Sequence, residues 1–229
     1  MSRYPQRPGK KGSLKWIQEV VNEKPAILDT QIRSAFDLRD SDDIEWLSPL
    51  KSDEYAEYRD EAFLDRLGVN LKHTPLSKFW PRRGPQWDAL GRTRSGSVFL
   101  IEAKAHVEEL VSSPTGATGK SLSQIQSALA QTKKYITSKS KTDWSSCFYQ
   151  YTNRIAHLYL LRDLNKIPAF LVFVYFLNDT EMGGPSTEAE WRSAIRLMHK
   201  HLGLKRNGLS KYMADVFVDV KELSVKPNP

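Results

Sequence analysis

Two apolar, strand-like runs lie near the middle of the chain, over residues 85–90 and 97–104, joined by the turn-rich Gly91-Arg92-Thr93-Arg94-Ser95-Gly96. They predict a β-hairpin whose loop is longer than the minimum. Strand side chains alternate between faces, so Val98, Leu100, Glu102 and Lys104 fall on one side and Phe99, Ile101, Ala103 and Ala105 on the other. A carboxylate and an ammonium therefore emerge together at the end of a strand that is otherwise apolar on both faces. Such charges are costly to bury unless they pair or bind a metal. Asp88, on the partner strand, offers a third charged group.

Upstream of the hairpin, short helices are predicted over 14–21 and 30–38. Ser52 reads as an N-cap with Asp53 and Glu54 in the first turn, which predicts a helix running to Leu67 and stopping at Gly68. On its wheel Ala56, Phe63, Leu64 and Leu67 mark the buried stripe, with Asp60 inside it, Glu57 at its edge, and Glu54 and Glu61 further round. Glu57 is thus the acid placed to be half buried. Residues 69–86 read as irregular, with a short strand near Phe79.

After Lys104 a Ser/Pro/Gly/Thr loop over 112–120 leads into a helix whose start, Ser121-Leu122-Ser123-Gln124, fits a capping box. That helix continues to about Thr137. Another follows over 144–164, including Asn153, Arg154 and His157, and then a fully buried strand over 169–177. Thr187-Glu188-Ala189-Glu190 caps a helix running to Gly203, and residues 213–220 form a last, edge strand. The chain shows no internal repeat and no domain boundary. The order describes one α/β domain over 14–225, a mixed central β-sheet flanked by α-helices, preceded by a flexible basic tail over 1–13.

Composition bounds what this domain does. Hydrophobic residues make up 40% of the 229 and charged residues 27%, as in ordinary globular proteins. The apolar run over 169–177 is too short to span a bilayer, and no apolar signal-peptide core follows the basic N-terminus, so no membrane association is expected. Cys147 stands alone, which excludes an internal disulfide and a thiolate zinc cluster and suits a reducing cytoplasm. His199 and His201 are two apart on a predicted helix and share no face, so they make no metal site.

The net charge of +7 is unevenly spread. Residues 37–65 hold eleven acids against three basic residues, 72–101 hold six Lys/Arg against Asp88 alone, and 110–142 hold five Lys and no acid. Basic stretches beside a carboxylate site suit a polyanionic partner, because nucleic-acid affinity rests largely on phosphate neutralisation.

Asp88, thirteen intervening residues, then Glu102-Ala103-Lys104 resembles the PD-(D/E)XK nuclease superfamily. Gln131-Thr132-Lys133-Lys134-Tyr135 resembles the Gln-x-x-x-Tyr motif of its RecB-like branch, in the helix after the catalytic hairpin. The predicted helix through Glu57 is similar to the family's first helix, which often donates a further acid. Here Trp87 replaces the proline before the first motif acid, and the helix acid is either Glu57 or Glu61.

The resemblance implies a restriction-endonuclease-like fold and a Mg²⁺- (or Mn²⁺-) dependent nuclease acting on nucleic acid, with DNA the expected substrate. It implies that Asp88, Glu102 and the Ala103 carbonyl ligate the metal, that Lys104 orients the attacking water, and that Glu57 completes the shell or positions a second ion. Gln131 and Tyr135 would support the site or contact the nucleic-acid backbone. Lys133, Lys134, Arg82, Arg83, Arg92 and Arg94 are candidate phosphate contacts. Homo-oligomerisation is left open.

Two other readings compete. A buried Glu102–Lys104 or Asp88–Lys104 pair without metal would make a degenerate nuclease fold that binds nucleic acid or a protein partner without cutting. Pro114-Thr115-Gly116-Ala117-Thr118-Gly119-Lys120-Ser121 nearly matches a nucleotide-binding P-loop. Its first Gly is replaced by Pro114, however, and no apolar strand leads into it.

Overall fold

The computed structural model describes residues 2–38, 42–136 and 140–224. Its centre is a five-stranded mixed sheet of β2 (Ile44–Ser48), β4 (Ala89–Thr93), β5 (Val98–Lys104), β6 (Ala169–Leu177) and β7 (Met213–Asp219), in the spatial order β2-β4-β5-β6-β7. The first two pairings are antiparallel and the last two parallel. The remaining strands, β1 (Arg3–Tyr4) and β3 (Glu57–Tyr58), pair with each other as a small ribbon.

Every residue of β5 is buried, as its near-continuous apolar sequence requires of a central strand covered on both faces. The expected alternation holds. Val98 and Leu100 belong to one core, and Phe99, Ile101, Ala103 and Ala105 to the other. Helices α1 (Gly12–Glu23), α2 (Pro25–Phe36) and α8 (Val220–Ser224) contribute to this second core, where Trp16, Ile17, Val20, Val21, Leu28 and Ile32 are buried.

The first core lies under α3 (Glu61–Leu67), α4 (Leu76–Phe79), α5 (Gly119–Ile136), α6 (Tyr149–Tyr159, continued by a π-turn over Leu160–Leu164) and α7 (Glu188–Leu202). In α7 the stripe Trp191, Ile195, Met198 and Leu202 is buried. Its first turn is closed by the predicted capping box between Thr187 and Glu190, and Gly203 ends it in the left-handed conformation. Such a cap is worth ~1 kcal/mol. β6 forms over the predicted residues, and β7 is an edge strand as expected.

Several expectations are corrected. The predicted helix over 52–67 exists only as α3. Residues 51–60 hold a 3₁₀ turn (Lys51–Asp53), then β3, with Glu54, Tyr55 and Asp60 at positive φ. The helical wheel failed there because β3 takes its hydrogen bonds from far away: Arg3–Tyr4 pairs with it, and Tyr58 bridges to Trp87.

Residues 2–10, read as part of a tail, lie along the molecule through that pairing and through the Gly9 N–H, which donates to Gln18 at 2.8 Å. α5 begins at Gly119, so Ser121 lies inside the helix rather than capping it, and the end expected at Thr137 falls outside the described residues. Phe79 ends a short helix instead of lying in a strand. The hairpin loop is also tighter than expected. β4 runs on to Thr93, whose N–H donates to Ser97 O at 2.8 Å.

Among the described residues no helix is long and apolar enough to cross a membrane.

Candidate active site

The hairpin register sets the site. Ala89 pairs with Ile101 and the Asp88 N–H donates to Ile101 O, so Asp88 stands opposite Glu102 at the point where β4 has ended. Beyond that end β5 has no backbone partner on this side. The Asp88 carboxylate takes that place, its Oδ2 accepting the Ala103 N–H at 2.7 Å. A strand residue's N–H and C=O point to the same flank, so the Ala103 carbonyl is also directed toward Asp88's side of β5. No described residue donates to Asp88 Oδ1.

Behind Asp88, Glu102 is 1% exposed and both of its oxygens are engaged. Oε1 accepts Lys104 Nζ at 2.5 Å and Oε2 accepts Arg154 Nε at 2.5 Å. Lys104 also donates to Gln150 Oε1 at 2.8 Å. Arg154 is anchored further by Asn153 Oδ1 at 3.0 Å, by Gln86 O at 2.7 Å, and by the Trp87 ring 4.8 Å from its guanidinium carbon.

In front, buried Glu57 projects from β3 and accepts from Gln6 Nε2 at 3.2 Å and from Gln86 Nε2. Asp60, just before α3, accepts the Gly84 N–H at 2.8 Å and thereby fixes the 81–86 loop that carries Gln86. Glu57, Asp88, Arg83, Gln86, Gln150, Asn153 and Arg154 are among the residues lining an open cleft of about 460 Å³. Glu102 and Lys104 stand behind Gln150 and Arg154.

The two strand carboxyls differ in proton affinity although they face each other. Burial, then the neighbouring Glu102 and Glu57, push Asp88 well above the usual carboxylate range, more than Lys104 and Arg154 pull it down. Burial also acts against ionised Glu102, but Arg154 and Lys104 outweigh it and hold that carboxyl below its ordinary value. Burial raises Glu57, with Gln86 and Gln6 opposing. For Lys104 the desolvation that would release its proton is overcome by Glu102 and Asp88, and the ammonium is reinforced. The result is a closed ion cluster at the back and, at the front, carboxyls whose proton affinity is raised.

This donor set suits a hard divalent cation. Asp88, Glu102 and Glu57 are carboxylates, the Ala103 carbonyl is a fourth oxygen, and Mg²⁺ takes one or two protein carboxylates with the rest of its shell water. A carboxylate has about four lone-pair positions, so Glu102 can ligate while keeping one or both cationic partners. As placed, no three His, Cys, Asp or Glu among the described residues are gathered closely enough to hold an ion. The donor types suit such an ion by their chemistry, while their placement does not gather them around one position.

The structure brings Glu57, Asp88, Glu102, Ala103 and Lys104 together and puts Arg83 on the cleft wall. Glu61, the alternative helix acid, opens α3 and does not line the cleft. Arg82 is exposed in the adjoining loop.

The other candidates lie elsewhere. Gln131 is exposed and, among the described residues, hydrogen-bonds Ser127 alone, at 3.4 Å. Tyr135 is 45% exposed, packs on Tyr159 and faces the 206–212 loop. Lys133 donates to Thr142 O, and Lys134 is exposed. Arg92 pairs with Glu45 at 2.9 Å, at the end of β4 away from Asp88, with Arg94 beside it. The P-loop-like segment has a 3₁₀ turn (Val107–Leu110) before it where that motif needs a strand.

Gln150, Asn153 and Arg154 on α6 occupy the place expected of Gln131 and Tyr135 on α5. Their role shows in burial rather than in the sequence pattern: α6 is buried nearly all round, with Arg154 in its middle, although Gln150, Thr152, Asn153, Arg154 and His157 are polar. A helix buried on every side that carries an arginine must supply that arginine with an anion. His157, one turn on, is also buried. Desolvation lowers its pKa to about 3, so it is neutral and packs against Trp80 and Trp87.

No protein-family model, no curated protein sequence and no solved structure matches the chain.

Proposed function

We propose that the protein is a divalent-metal-dependent nuclease on a restriction-endonuclease-like core, with DNA as its expected substrate. The observation that carries this reading is the facing pair Asp88 and Glu102 at the ends of adjoining strands, with Lys104 on the same face and Glu57 over the same cleft. Asp88, Glu102, Glu57 and the Ala103 carbonyl would hold Mg²⁺ or Mn²⁺. When bound, the ion would act as a Lewis acid on the phosphodiester and lower the pKa of water.

The chain's own residues supply the rest. Lys104, held as an ammonium by Glu102, orients the attacking water and offsets the charge that builds on the phosphate. Gln150 fixes that ammonium through its Oε1. Arg83 on the cleft wall and Arg82 next to it suit a phosphate backbone. The burial that raises the proton affinity of Asp88 works against ligation, which needs the ionised carboxylate.

Incubation of purified protein with single- and double-stranded DNA and with RNA, in Mg²⁺ or Mn²⁺, tests the proposal. Metal-dependent cleavage lost in both Asp88→Asn and Lys104→Ala is expected. Cleavage that survives both substitutions rules this site out.

One observation favours a second reading. Glu102 is already neutralised by two internal cations, which is what a nuclease fold without metal would need. Nucleic-acid binding without cleavage by the intact protein would support that degenerate role.

A further inference from the structure

Arg154 is built into the site more firmly than packing alone requires. It is 3% exposed, and each of its three nitrogens has a separate acceptor: Glu102 Oε2, Asn153 Oδ1 and the Gln86 carbonyl. Trp87 covers its face. A well-packed apolar residue would usually stabilise such a position at least as well as a buried ion pair, so the charge has a use.

That use follows from the charges around it. Glu57, Asp88 and Glu102 confront Lys104 and Arg154 across the cluster. With its three carboxylates ionised the cluster carries a net charge of −1, and Arg154 Nε already occupies Oε2 of Glu102. A divalent ion brings the cluster to +1 and meets Arg154 on the carboxylate it would share. A phosphodiester arriving with the ion returns it to neutrality.

We propose that Arg154 is a positioning residue that holds Glu102 in the metal-free protein and opposes metal binding, so that the cleft loads its ion together with the polyanionic substrate. This rests on the nuclease reading above. Arg154 and the metal are alternative counter-ions for Glu102, and removing one should increase the demand for the other.

Calorimetry of Mn²⁺ binding without nucleic acid, on wild type, Arg154→Gln and Arg154→Lys, tests this. Removing a unit charge this close to the ion should tighten Mn²⁺ by about tenfold in Arg154→Gln, while Arg154→Lys, which keeps the charge, stays near wild type. Thermal melts give a second readout. Arg154→Gln should melt lower than wild type in chelator and recover most of the loss in Mn²⁺, because a ligand bound only by the folded state stabilises it.

Mn²⁺ affinity that is unchanged or weaker in Arg154→Gln overturns the proposal and leaves the nuclease reading standing, with Arg154 a structural clamp. A variant that Mn²⁺ does not restore also overturns it. No Mn²⁺ binding by either wild type or Arg154→Gln removes the metal-dependent reading as well.

Discussion

The front and back walls of the cleft are built from the same kinds of side chain and behave in opposite ways. At the back, Glu102 is sealed in, doubly paired and held ionised by Lys104 and Arg154. At the front, Asp88 and Glu57 face the opening with amide hydrogen bonds and, among the described residues, no cation in direct contact, and both are pushed toward the protonated form. What separates them is helix α6. Its Arg154 reaches Glu102, and nothing equivalent reaches Asp88. A carboxylate's role is therefore set less by its own strand than by what the next layer brings to it.

The sharpest way to break this contrast is to neutralise each wall in turn. Glu102→Gln leaves Lys104 and Arg154 buried without their partner and is expected to cost ~3–5 kcal/mol of stability. Asp88→Asn removes a group that already resists ionisation, keeps the shape, and should cost less than about 1 kcal/mol. Urea denaturation of both variants at pH 7 checks the difference. Equal losses would mean that the walls are not distinct.

The second prediction concerns pH. The raised pKa of Asp88 means that the folded state binds its proton more tightly than the unfolded state. Its contribution to stability is complete below the ordinary carboxylate pKa and is lost as pH rises through the raised value. Glu102, with a lowered pKa, contributes above the ordinary value and loses that contribution as pH falls through the lowered one. Melting temperature against pH should therefore show Asp88→Asn gaining on wild type as pH rises above the ordinary carboxylate range. A constant offset between the two curves would contradict the assignment.

The smallest effect separates α6 from α5. Gln150→Ala removes an acceptor from Lys104 and should reduce cleavage or Mn²⁺ binding measurably. Gln131→Ala and Tyr135→Ala, on exposed positions of α5, should leave both unchanged and shift stability by no more than about 0.5–1 kcal/mol. Parallel assays of the three variants settle which helix serves the cleft.

Much of this was legible in the chain because it is local. The alternation along β5, the nine-residue apolar run of β6 and the capping box of α7 are each written within one segment, and the structure follows them. Asp88, Glu102 and Lys104 came from the same kind of reading, since hairpin register is short-range. Glu57 was singled out for the wrong reason. The helical wheel put it at the edge of a buried stripe, whereas it is buried because Arg3–Tyr4 makes β3 a strand.

The placement of Gln131 and Tyr135 failed for a related reason. A spacing motif records which residues share a helix face, not which helix docks over the strand ends. Burial would have been the better guide, because Arg154 is the charge that α6 has no means of solvating.

The pairing of Glu102 with Arg154 also has a consequence for biogenesis. The two lie 52 positions apart, with a carboxylate on one side and its guanidinium on the other. While the chain is being synthesised from its N-terminus, β4 and β5 are complete before α6 exists, and Glu102 on the central strand then has only Lys104, two residues along, of its two cationic partners. Closing a loop of that length comes at an entropic cost that precedes any reward. The back wall of the cleft is therefore complete only once the later helix has joined the hairpin and supplied the second cation to Glu102.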